Sequence, residues 1–219
     1  MLGTAGYSRI PLARAADEFA LTTVLLFIAV TIIGVLSGAI ITGLTLAPAG
    51  RRSGGHMNPA VTVGLWLMDA FPGRSVPPYV LAQLAGSVAG TGLARLMWGH
   101  AALSLVGNGA VRPATTWQPE SVFVAEAGSL TLLILVVGFF LARRGHARLL
   151  PQVIGLFVGL VIAFLGTLSG GSVNPARQLG PAALSGHTTY LWIYLVAPIV
   201  GSGSRGLGPP AAHPAAPHA

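Results

Sequence analysis

The sequence predicts an all-α membrane protein: a bundle of transmembrane helices joined by two re-entrant half-helices arranged as an inverted repeat. Three observations carry that prediction. Of 219 residues, 53% are hydrophobic and only 8% are charged, with a mean hydropathy of +0.74, far from the mixture found in a soluble domain. The stretch Ser53-Gly54-Gly55-His56-Met57-Asn58-Pro59-Ala60 returns as Ser169-Gly170-Gly171-Ser172-Val173-Asn174-Pro175-Ala176, identical at six of eight positions. Each copy opens an apolar run, residues 61–68 and 179–184, that is too short to cross a bilayer. Interrupted hydrophobic segments in corresponding halves of a membrane protein point to a site near the midplane.

Taken in order, the chain begins with Arg9 and Arg14 ahead of an apolar run, a pattern that superficially matches a secretory leader. Residues 19–50 are 32 residues without a charge, whereas a leader's apolar region has about 7 to 15. The run therefore reads as retained membrane helix behind an N-terminal segment, residues 1–16. As one helix it would measure about 48 Å, more than a hydrocarbon core of about 30 Å needs, while two spans want about 40 residues plus a turn. It is expected as one long tilted or kinked helix, or as two short broken ones. In each box Asn is a preferred N-cap, and Pro suits the first helical position, where its missing N–H is not needed. Asn-Pro-Ala thus reads as a helix start, and the first half-helix ends at Asp69-Ala70-Phe71-Pro72-Gly73, a turn signal.

Residues 76–98 form a full span whose Gly86, Gly90 and Gly92 are expected to admit another helix at close range. Residues 99–119, with Asn108-Gly109, Arg112-Pro113 and Trp117, make a polar connection between a first repeat, 17–98, and a second, 120–201. The second repeat holds spans at 120–141 and 149–168, separated by Arg143, Arg144 and Arg148, then the second box. Its last apolar run, 190–200, has only 11 residues. From 201 onward Gly, Pro, Ala, Ser and His dominate, too little apolar surface for a core; a disordered tail, 202–219, is expected.

All twelve basic residues are Arg, against Asp17, Glu18, Asp69, Glu120 and Glu126. Placing Arg51, Arg52, Arg74, Arg143, Arg144 and Arg148 on one side leaves Arg95 and Arg112 on the other, so the first side is cytoplasmic. That asymmetry accounts for the net charge of +7 without nucleic acid as a partner. The absence of cysteine excludes a disulfide framework and leaves the redox compartment open.

The paired boxes resemble those of the aquaporin and aquaglyceroporin channels, the major intrinsic protein family, in which Arg follows the second box. Here that stretch reads Asn174-Pro175-Ala176-Arg177-Gln178-Leu179-Gly180-Pro181-Ala182, and the resemblance runs over about residues 17–201. It implies an aquaporin-like bundle, a passive channel for water and small neutral solutes, a homotetramer in the lipid bilayer of the plasma (inner) membrane, and no cofactor or metal. It also implies that Glu18 and Glu126 brace the box loops. An intramembrane carboxylate needs donors, and loop N–H groups supply them; the alternative for Glu18 is an interfacial place beside Asp17.

The residues support this reading in their own chemistry. A capping Asn uses its oxygen on its own helix, which leaves the amides of Asn58 and Asn174 to donate to a passing oxygen. Asn-Pro alone is an ordinary turn; two copies with near-identical flanks are not. Two helix N-termini meeting there oppose cations and protons. Arg177 falls inside the membrane, where arginine is by default functional, the alternative being an interfacial anchor. His56 either lines the cytoplasmic vestibule or packs within its loop.

Counting back from each box, as the family's filter positions imply, gives Gly38, Ile162, Gly171 and Arg177. Two glycines and an isoleucine stand where water-selective members typically have an aromatic and a histidine, which implies a wider, more apolar opening suited to a glycerol-like solute. Gln178 departs from the Asp that glycerol channels commonly have after this Arg, whereas Leu195 resembles the glycerol-type pattern. Glu18 to Asn58 is 40 residues against 48 from Glu126 to Asn174, so the first span is expected to be shortened near Val30-Thr31-Ile32, and the last near Val200. Two functional readings stay open: a conducting channel and a truncated, non-conducting member. An intramembrane enzyme is disfavoured, because no nucleophile triad, metal spacing or carboxylate pair recurs at helical offsets in the spans.

Overall fold

The computed structural model describes residues 33–143 and 145–203, and every ordered element in them is helical. Glu18, most of the tail and the first part of the 19–50 run lie outside the described residues. In chain order the helices are α1 (Ile33–Leu46), α2 (Pro48–Ser53), α3 (Pro59–Leu67), α4 (Val76–Trp98), α5 (His100–Leu105), α6 (Pro119–Leu141), α7 (Leu150–Leu165), α8 (Pro175–Ser185) and α9 (Leu191–Ser202). Among these, α6, and α4 and α7 each with a short 3-10 lead-in, are long and apolar enough to cross a membrane; α1 and α9 are shorter apolar helices. At 9 residues α3 is about 14 Å long, half a bilayer. Large apolar side chains point outward along the spans, among them Leu81, Leu96, Trp98, Val124, Leu156 and Phe164, an exposure that lipid contact explains and water does not. The chain is an integral, multi-pass membrane protein.

The helices cross where side chains are absent. On α1, Gly34 and Gly38 lie backbone to backbone against Gly159 and Gly155 of α7, so that a Cβ on either partner would strike the other's carbonyl. One turn further, the Thr42 Oγ1 proton is shared between Gly38 O at 2.9 Å and Pro151 O at 3.1 Å. Three contacts at four-residue steps thus lock α1 and α7 antiparallel. Each half-helix also packs against the helix that follows the other box: α8 lies along α4, and α3 contacts α9.

Two expectations are corrected. The close approach on α4 is made by Ser87, not by its glycines: Gly86, Gly90 and Gly92 face open space, while Ser87 Oγ accepts from Gly180 N at 2.8 Å and donates to the Ala176 carbonyl. The last helix continues through Gly201 and Ser202, which the composition assigned to the tail. Gly201 packs on the Ala127 carbonyl and Ser202 is buried, because a helix end seated on α6 needs small residues and not apolar ones. Gly38, which the count from Asn58 makes a filter position, packs in the α1–α7 seam, where a Cβ would meet the Gly155 carbonyl.

Candidate functional site

Asn58 and Asn174 cap α3 and α8 in the same way. Both have extended backbone angles, and each Oδ1 accepts from its own helix: Ala60 N at 2.9 Å for Asn58, and Ala176 N at 2.9 Å and Arg177 N at 3.3 Å for Asn174. With Oδ1 committed to the cap, each Nδ2 reaches across to the other loop. Asn58 donates to Val173 O at 2.8 Å, and Asn174 donates to Met57 O at 3.0 Å. In both cases the acceptor is the residue just before the partner asparagine, so the two loops are tied tip to tip. Each amide therefore commits one N–H to this crosslink and leaves one outside it, where the sequence left both free.

The carbonyls reach these positions through an unusual backbone. Met57 and Val173 have φ of 48° and 44°, the left-handed region that a β-branched residue such as Val173 rarely adopts and that concentrates at functional sites. The Gly-Gly pairs before them also have positive φ, 86° and 61° for Gly54 and Gly55, 95° and 57° for Gly170 and Gly171. Glycine adopts these angles at no steric cost, which accounts for the Gly-Gly pair in each copy.

A buried carboxylate holds the second loop. Glu126 is fully buried on α6; its Oε1 accepts from Ser169 Oγ at 2.9 Å and Ser172 N at 3.1 Å, and its Oε2 accepts from Val173 N at 2.6 Å. Three donors from the loop satisfy a charge that would otherwise be costly at this depth. Glu18, expected to brace the first loop, lies outside the described residues.

Sequence reasoning missed two tyrosines that treat the loops alike. Tyr194 OH donates to Ser169 O at 2.6 Å and Tyr79 OH donates to Ser53 O at 2.9 Å, each gripping the first residue of a box loop. Beneath the first box, Thr62 Oγ1 donates to Asn58 O at 3.0 Å and accepts from Gln83 Nε2 at 3.0 Å. Its single proton is thus used, and His56 Nδ1, 3.2 Å away, must carry the hydrogen it donates to Thr62. The His56 ring packs against Phe71 and Tyr79, with centroids 4.7 and 5.4 Å away, and burial pushes its pKa down to about 4.

Of the four counted filter positions, Ile162 and Gly171 are neighbours. Ile162 is buried among Val158, Val161 and Val173, and Gly171 sits against Val161 O and the Ile162 Cα. Arg177 is exposed although Pro175, Ala176 and Gln178 around it are buried, and Glu126 and Tyr194 lie within electrostatic reach. Gly38 is set apart, in the α1–α7 seam.

Residues 9–207 match the family described as Major intrinsic protein. The chain is 39% identical over 159 residues to the probable aquaporin AqpM of Archaeoglobus fulgidus, covering 70% of this chain and 65% of that protein. It is 37% identical over 171 residues to nodulin-26 of Glycine max, covering 75% of this chain and 60% of that one. Among solved structures it is similar to the aquaglyceroporin from Plasmodium falciparum, with a TM-score of 0.60, 28% identity, and coverage of 68% and 69% of the two chains. The matched stretches span about 65% or less of the length of these curated relatives.

Proposed function

Because the chain belongs to the major intrinsic protein family, whose members are channels and not enzymes, we propose that it is a passive transmembrane channel for water and small uncharged, glycerol-like solutes that excludes ions and protons. The observation that carries this reading is the reciprocal bond between the two boxes, Asn58 to Val173 O and Asn174 to Met57 O. It brings two helix N-termini together and leaves one amide donor on each asparagine for a lone pair. The converging dipoles and the exposed Arg177 add positive potential along one path, which opposes cations and protons without a narrow pore.

In this reading Asn58, Pro59, Ala60, Asn174, Pro175 and Ala176 form the central constriction, and Ile162, Gly171 and Arg177 the outer filter. With no side chain at Gly171, Arg177 supplies the strong donors and Ile162 an apolar wall for the carbon side of a polyol. Glu126 braces the second loop and Glu18 the first. Residues 17–98 and 120–201 are the two repeats, 99–119 their connection, and the assembly is a homotetramer in the plasma (inner) membrane.

Stopped-flow swelling of vesicles carrying the full chain, with water, glycerol and urea gradients compared, tests the proposal. Water and glycerol flux without proton leak is the expected result. Water flux without glycerol flux would refute the wide filter, and no flux of either would establish the non-conducting alternative.

A further inference from the structure

We infer that Gln178 is a positioning residue that holds the connecting loop over the second box, and that Val111 of that loop is thereby a size-selecting element ahead of Arg177. The inference rests on the channel reading above. Gln178 is fully buried, and both ends of its amide are committed to one residue: Oε1 accepts from Val111 N at 2.8 Å and Nε2 donates to Val111 O at 2.9 Å. A side chain that pairs with both backbone groups of a single residue copies a strand-like bridge across 67 positions of sequence. Only a primary amide presents one donor and one acceptor side by side in this way; carboxylate, hydroxyl and alkyl groups do not.

The latch acts at a sensitive place. Val111 is itself buried, and its Cγ1 fills the space that a side chain on Gly170 would occupy, so it bears directly on the Gly170-Gly171 turn of the second box loop. On its other side Val111 borders a cavity of about 320 Å³ that is also lined by Arg112, Trp117, His187 and Tyr190. A second tie, Ala114 N to Leu168 O at 2.8 Å, keeps the loop from sliding. Val111 is therefore a wedge between this outer cavity and the loop that carries Gly171, fixed by the residue next to Arg177. Without Gln178, both buried polar groups of Val111 lose their partner, and the loop lifts from Gly170.

The channel's discrimination by solute size reports the difference. Vesicles carrying the full chain are compared for water, glycerol and erythritol uptake. Gln178→Leu, which removes both hydrogen bonds, is expected to lower the glycerol-to-erythritol uptake ratio by at least about fivefold. Val111→Ala leaves the latch in place, trims the wedge, and is expected to move the ratio in the same direction. Fluxes that fall together at a constant ratio would mean a merely structural role and would overturn the inference. Should Gln178→Leu fail to incorporate, Val111→Ala decides, since an unchanged ratio there overturns it equally. Wild-type vesicles with no flux would overturn the channel reading and this inference with it.

Discussion

Glu126 Oε2 lies 2.6 Å from the amide nitrogen of Val173, the residue whose carbonyl receives the Asn58 amide 2.8 Å away. One peptide segment is thus held from both sides, by a carboxylate of its own repeat and by the box of the other. Both oxygens of Glu126 accept, so Glu126→Gln would turn an NH2 group toward a loop donor. The expected cost is about 1–3 kcal/mol for the unpaired buried group, seen as a lower thermal midpoint in detergent together with reduced water flux. Unchanged midpoint and flux would remove Glu126 from the brace.

The two tyrosines give a graded version of the same test. Tyr194 donates to Ser169 O in a fully buried setting, whereas the Tyr79 bond to Ser53 O is exposed. A carbonyl left unpaired away from water loses more than one that water can solvate, about 1–3 kcal/mol against less than about 1. Tyr194→Phe should therefore destabilise more than Tyr79→Phe in thermal unfolding of the purified protein. The reverse order would contradict the burial difference.

Gly38 offers a direct choice between packing and filtering. A Cβ there would meet the Gly155 carbonyl, and backbone does not move aside as a flexible side chain does. Gly38→Val should cost at least about 1–3 kcal/mol by overpacking and lower the yield of folded protein, while Ala39→Val on the exposed neighbouring position should not. A Gly38→Val protein of normal stability that only narrows solute uptake would put Gly38 back in the lumen.

What the sequence made legible follows from how local the determinants are. The half-helix starts at Asn58 and Asn174 were readable because capping and proline chemistry act within three residues, and the duplication confirmed them. Glu126 was readable because an unpaired carboxylate inside a span demands donors. The packing of Gly38 in the α1–α7 seam was not legible, because a count from Asn58 fixes distance along α1 but not the direction it faces. The four-residue spacing of Gly34 with Gly38, matched by Gly155 with Gly159, was the signal that would have found the seam. Tyr79 and Tyr194 follow their box asparagines at offsets of 21 and 20, a regularity visible only once the repeat is aligned beyond its motif. The Gln178 latch left no pattern at all, because its partner is backbone.

The His56 ring bears on pH. Burial pushes it from 6.5 down to about 4, so the folded protein binds fewer protons than the unfolded chain between those values. Stability from this group is present above about pH 6.5 and falls as the pH drops toward 4. Water flux, by contrast, should stay flat from about pH 8 to 5.5, because the ring remains neutral and bonded to Thr62 throughout. A flux step centred near pH 6.5 would show that His56 is solvated and free to charge.

Arg177 carries the last prediction. It is an exposed cation whose chain neighbours are buried, and one positive charge opposes another over several ångströms. Replacing it by Val removes that charge and the strongest donors at the constriction but leaves the N-termini of α3 and α8 and both asparagine amides in place. Cation or proton leak should rise by roughly tenfold or more, the consequence of lowering an electrostatic barrier by a unit charge, while the remaining dipoles keep the leak below that of an open pore. Glycerol uptake should stay largely intact, since a neutral polyol gains width and loses only one set of hydrogen bonds. Pyranine-loaded vesicles under a pH gradient, with glycerol swelling measured on the same preparation, separate the two effects. Unchanged leak in Arg177→Val would mean that Arg177 does not stand at the constriction, and a parallel loss of glycerol uptake would mean that it orients the solute more than it repels the ion.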